Sequence, residues 1–206
     1  MRRLFFPLGV VPLGVVVLLS CSDSSESVTA PVMVSDEELA EHRSHHFRKH
    51  SSVKLSGDEE VPPRETRARG KATFRISHDG ETVFYRLSVA KINNVFQGHI
   101  HIGPAGANGP IAVWLYPTTD PVPGPLGGGP IRGLIAEGSF TAANMTPASG
   151  AWDGTFESLK EALRTGGAYV NVHTNDGIDP ANTGPGDFPG GEIRGQFEEK
   201  RKHGRK

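Results

Sequence analysis

Two histidines stand one residue apart in "GHIHIGPAGANGP", Gly98 to Pro110, and a third, His173, ends the apolar run "AYVNVH". Imidazole nitrogen is a favoured ligand for copper and zinc, and a pair at i and i+2 on a rigid strand delivers two ligands at little entropic cost. Alternation along an extended chain puts Ile100 and Ile102 on one face of their strand and His99 and His101 on the other. The same rule puts Val170 and Val172 inside and Tyr169, Asn171 and His173 outside. If the two strands are neighbours, His99, His101 and His173 converge on one ion, with copper favoured and zinc second, because no general base accompanies a zinc-bound water here. The alternative is a pair of unrelated surface positions, with His99 and His101 doing no more than hydrogen-bonding the glycine-rich loop that follows them.

Other residues with metal-binding or catalytic chemistry carry weaker patterns. Asp176, Asp179, Asp187 and Glu192 in "NDGIDPANTGPGDFPGGE" offer the oxygens calcium prefers, but their spacing matches no calcium loop and Asn-Asp-Gly and Asp-Pro are ordinary turn chemistry. Calcium is therefore disfavoured. His42, His45, His46 and His50 cluster in "EHRSHHFRKH", where interleaved cations oppose the capture of another cation. "EEVPP" at Glu59 to Pro63 is read as an edge-protecting end of a strand, without chemistry. "GPAGANGP" lacks the lysine and the strand-to-helix setting that a phosphate-binding loop requires, and no nucleophile elbow or catalytic carboxylate pair occurs.

The elements that must position these groups are short strands. "ATFRISHDGETVFYRLSV" alternates on both sides of Asp79-Gly80, a hairpin signature, with Ala72, Phe74 and Ile76 sharing one face and Val83, Tyr85, Leu87 and Val89 another. Further strands are expected in "SVKLSG", "GHIHIG", "IAVWLYP", "GLIAEGSF", "AYVNVHTN" and "GEIRGQFE". Some eight strands make an all-β antiparallel sandwich or flattened barrel. One short helix is expected near 156–165, with Leu159, Ala162 and Leu163 on one face and Gly166-Gly167 as its stop, covering one open end.

The chain has 206 residues, 26 glycines, 16 prolines and a formal net charge of -1, which favours one strand-and-turn domain and gives no support for nucleic-acid binding. Its ends differ from its middle. Residues 1–21 carry two arginines, an apolar run from Leu4 to Leu19 and the only cysteine, Cys21, the layout of a secretory signal; Leu18-Leu19-Ser20-Cys21 resembles a bacterial lipobox. The expectation is an exported protein, anchored through lipidated Cys21 and facing the periplasm or the cell exterior, with no thiol left for a disulfide. Residues 22–50 read as a polar, disordered tether, 51–198 as the folded domain, and 199–206 as a basic, solvated tail.

"SVKLSGDEEVPPRETRARGKATFRIS", "GHIHIGPAGANGPIAVWL" and "GGAYVNVHTNDG…FPGGEIRGQF" resemble, in order, the blocks of a chordin-type (CHRD) domain. The resemblance implies an immunoglobulin-like, Greek-key barrel and a distant similarity to copper/zinc superoxide dismutases. His99, His101 and His173 then look like three of the dismutase copper ligands, but Gly103 to Val172 holds no histidine, so the zinc subsite is absent. Arg194 is similar in placement to the dismutase arginine that guides a small anion; the alternative is a surface ion pair with Glu192 or Glu198. Three functions follow as expectations: a lipid-anchored binding module with a mononuclear copper site, a metal-free structural or protein-interaction module, or a zinc-free dismutase-like enzyme using Arg194. The protein partner is not specified by any of them.

Overall fold

The computed structural model of the chain describes residues 50–118 and 124–198. The signal segment with Cys21, the tether histidines before His50 and the basic tail lie outside the described residues. Eight strands form one antiparallel sheet: β1 (His50–Ser56), β2 (Arg69–Ile76), β3 (Val83–Asn93), β4 (Val95–Ile102), β5 (Ile111–Tyr116), β6 (Pro130–Phe140), β7 (Ala168–Thr174) and β8 (Ile193–Gln196). The order across the sheet is β5-β4-β7-β8-β1-β2-β3-β6. The sheet curls until β5 and β6 face each other, where the Tyr85 hydroxyl on β3 donates to the Leu115 carbonyl on β5 at 2.9 Å. The fold is thus the expected all-β, nearly closed barrel.

Local sequence explains the elements. Between β2 and β3, Asp79 accepts from the Glu81 N–H at 3.0 Å and Gly80 takes φ 80°, a left-handed conformation that glycine adopts without a Cβ clash. On the strands themselves, every second residue of β3 faces inward, so Val83, Tyr85, Leu87 and Val89 are buried against Ala72 and Phe74 of β2. Ile100, Val170, Val172 and Ile193 extend the same core beneath β4, β7 and β8.

The single α-helix among the described residues, α1 (Phe156–Thr165), begins where the Thr155 hydroxyl accepts from the Ser158 N–H and stops at Gly166, φ 83°. It buries Phe156, Leu159 and Leu163, whereas Ala162, expected on that face, is only partly covered. Phe156 meets Phe140 edge-on at 6.3 Å and Lys160 donates to the Gly80 carbonyl at 3.0 Å, so the helix closes the barrel end that carries the β2–β3 turn. Packing outweighs capping in holding it. Leu159→Ala should cost about 2–5 kcal/mol and Thr155→Ala about 1 kcal/mol, compared by urea unfolding at unchanged m-value.

Candidate metal centre

Register fixes which side chains share the outer face of the sheet. Trp114, His99, Asn171 and Arg194 form one cross-strand row over β5, β4, β7 and β8; His101, Tyr169 and Gln196 form the next. His173 lies opposite Gln97, diagonal to His99. The strands carrying the histidines are therefore direct neighbours, and ligand nitrogens of His99, His101 and His173 all lie within 4.8 Å of one another. The ring centroids are 4.9 Å apart for His99–His173, 5.4 Å for His99–His101 and 6.2 Å for His101–His173.

The expectation of an exposed outer face is overturned. His99, His101 and His173 are 0%, 8% and 6% exposed, and Arg194 is 1% exposed. The sheet at β4, β7 and β8 is covered on both sides, because the glycine-rich loop after β4 and the segment before β8 fold back over it. Gly109 donates its N–H to the Tyr169 hydroxyl at 3.1 Å and accepts from His101 Nδ1 at 2.8 Å. No side chain fits there, since a Cβ on Gly109 would come within 1.7 Å of the Ile102 carbonyl oxygen. Pro189, on the other segment, accepts from His173 Nδ1 at 2.8 Å. The loop hydrogen bond anticipated for these histidines thus exists for His101, but in a buried setting.

These two carbonyls decide the tautomers. Each takes the proton on Nδ1, which leaves the Nε2 lone pairs of His101 and His173 directed elsewhere. His173 Nε2 lies 3.2 Å from His99 Nδ1, which donates to it, and 3.0 Å from Asn171 Oδ1, a contact between two acceptors in this tautomer. His99 Nε2 and His101 Nε2 are buried without a hydrogen-bond partner. Metal–nitrogen bonds of about 2.0–2.1 Å require ligand nitrogens roughly 3.3–3.6 Å apart, so His99 Nδ1 and His173 Nε2 have ligand spacing once His99 carries its proton on Nε2, and the third ring needs to close by about an ångström.

Aromatic groups wall the centre. Trp114 meets His99 edge-on at 4.2 Å and Tyr169 stacks on His101 at 4.8 Å and 7°. Arg194 stacks its guanidinium 3.4 Å above the Tyr169 ring and donates to the Ala107 and Pro104 carbonyls and the Gln196 side chain at 2.9, 3.1 and 2.9 Å. It pins the loop onto the sheet and is buried, so the surface ion pair with Glu192 or Glu198, the alternative to anion guidance, does not describe it. Glu192 instead accepts from Thr66, Thr174 and the Gly186 N–H, and Asp187 from Thr183, so the acidic segment is knitted as a turn.

Glu60, read from the sequence as part of an inert strand end, is buried with Oε1 unpartnered and packs against Gly191. Burial pushes its carboxyl up to about 7, against the pull of Arg194 and Arg64. The last of three consecutive acidic residues, with one valine between it and two prolines, has no periodicity that reports such burial. Tyr169 and Asn171 are legible in the sequence only as outer-face neighbours of His173, Trp114 only as part of a strand, and the Gly109 and Pro189 carbonyls carry no side-chain signal at all.

Burial lowers all three histidines: His99 to about 2, reinforced by repulsion from His173 and His101; His173 to about 4, partly opposed by Pro189; and His101, opposed by Gly109. The three imidazoles are thus neutral at physiological pH, the state a metal requires. A histidine whose folded pKa lies below its unfolded value binds fewer protons when folded, so stability is lost as pH falls from about 6.5 toward the folded value. Glu60 has the opposite sense, since its folded carboxyl keeps a proton that the unfolded chain releases above about 4.5. Three groups outweigh one. The thermal midpoint should fall between pH 6.5 and 4.5, and Glu60→Gln should steepen that fall; a flat profile would count against buried neutral imidazoles. Gly109→Ala should displace the loop and move the His101 Nδ1–H resonance out of its hydrogen-bonded range, as read by proton NMR.

A family model described as the CHRD domain matches residues 51–197, and the chain belongs to that family. Among curated proteins and among solved structures, nothing matches it.

Proposed function

We propose that this CHRD-domain protein is an exported, lipid-anchored binding module that holds one copper ion at His99, His101 and His173. The observation that carries the metal reading is the orphaned, buried Nε2 of His101 beside His99 Nδ1 and His173 Nε2, which stand 3.2 Å apart. A buried imidazole nitrogen without a partner costs about 1–3 kcal/mol, which coordination would recover. Copper is favoured by the donor set. Three neutral imidazoles with a buried guanidinium nearby and no carboxylate among the ligands compensate a monovalent ion better than a divalent one. Copper cycles between those states, whereas zinc does not.

The anchor rests on sequence: Cys21 closes a lipobox-like segment, and among the described residues no helix is long and apolar enough to cross a membrane. The metal-free module is favoured by the hydrogen bond between His99 and His173, which satisfies those two nitrogens without an ion. The dismutase-like reading assigns Arg194 to anion guidance, but its guanidinium is committed to loop carbonyls and Tyr169. Binding without turnover is therefore the better-supported reading.

The test is copper stoichiometry on the purified full chain, with affinity for the monovalent ion from competition with a chromogenic chelator and electron paramagnetic resonance after oxidation. About one equivalent is expected, quenching the Trp114 emission, and His101→Ala should weaken binding by roughly a hundredfold or more. Less than about a tenth of an equivalent, or affinity unchanged in His101→Ala, overturns the copper reading and leaves the metal-free module. If copper binds, superoxide consumption by wild type and Arg194→Ala separates binding from turnover.

A further inference from the structure

On the side of the barrel formed by β1, β2, β3 and β6, the outward positions are markedly cationic for a chain of net charge -1. Lys54 on β1 and Lys71 on β2 are exposed and directly opposite each other in the register. Like charges in that relation repel, so the pair detracts from sheet stability. Arg69 and Arg75 flank Lys71 on the same face of β2, and Arg86 stands on β3 opposite Thr73. The acid within this face is Glu137, 3.5 Å from Arg86; Asp79 and Glu81 lie in the turn beyond it.

Apolar groups sit among these cations. Phe84 and Leu134 are exposed, and the pairings Phe84–Arg75 and Leu134–Ser88 place them on the cationic face. The Arg75 guanidinium lies 4.0 Å over the Phe84 ring. Cations with interspersed exposed aromatic and aliphatic groups suit a bilayer interface, where the rings enter the headgroup region and the cations meet phosphate. A soluble polyanion would use the cations alone.

We propose that the outer face of β1, β2, β3 and β6 docks on an anionic lipid surface. The face lies apart from the three histidines, which occupy β4 and β7, so docking and metal binding stand or fall separately.

The test is partitioning of the purified full chain, carrying Cys21→Ala to keep it free of acyl groups, onto vesicles of phosphatidylcholine with and without about a third phosphatidylglycerol. The apolar run at Leu4 to Leu19 enters both kinds of vesicle, so the readout is their ratio. The anionic vesicles should be preferred by about tenfold or more at low salt, with the preference collapsing near 0.5 M salt. Lys54→Gln/Lys71→Gln should cut that ratio by about fivefold or more while raising the thermal midpoint slightly, since the repulsion between them is removed, and Arg164→Gln on the helix leaves the ratio in place. A ratio within about twofold of unity overturns the proposal, as does tight binding to dextran sulfate with no vesicle preference. A ratio untouched by the lysine pair but abolished by removing residues 200–206 also overturns it, by assigning the effect to the tail.

Discussion

Polar side chains on the outer face of β4, β7 and β8 are buried, and that single constraint organises the rest of the domain. A sheet face carrying His99, His101, Asn171, His173 and Arg194 cannot be covered unless each group finds a partner or a ligand. Two loop carbonyls, Gly109 and Pro189, answer for two imidazoles. Arg194 answers for the loop itself, clamping residues 104–108 through their carbonyls while stacking on Tyr169. The unpartnered Nε2 atoms of His99 and His101 are what remains once those demands are met.

The barrel supplies rigidity from the other side. Ile100, Val170, Val172 and Ile193 are fully buried beneath the same strands, so the backbone under the histidines cannot shift without opening the core. Ligand groups held by strands on one side and by carbonyls on the other lose little freedom on binding, and the nitrogens sit within about an ångström of metal-binding separation. The glycine-rich loop is part of this arrangement, because only a residue without a Cβ lets the Gly109 carbonyl reach His101.

Charge divides the molecule into two regions of different use. The histidine face is buried, neutral at physiological pH and walled by aromatic rings. The β1–β2–β3 face is exposed and cationic, with a like-charged cross-strand pair that sheet stability alone would select against. Stability and function compete at both places, by orphaned nitrogens in one and by repulsion in the other.

The sequence by itself determined the strands, the Asp79-Gly80 hairpin, the helix and the sharing of one face by His99 and His101, because period-two alternation and turn chemistry are local properties of the chain. It also carried the family, since the blocks resembling a CHRD domain span the segment that the family model matches. Tertiary structure decided that β4 and β7 are neighbours, which brings His173 to His99 and His101 across more than seventy residues. It alone decided that the face is roofed, that Arg194 is a clamp rather than a surface charge, and that Glu60 is buried. The physical reason is that strand pairing and loop coverage arise from long-range contacts between backbone groups, and backbone groups are the same in every residue, so no side-chain pattern announces them.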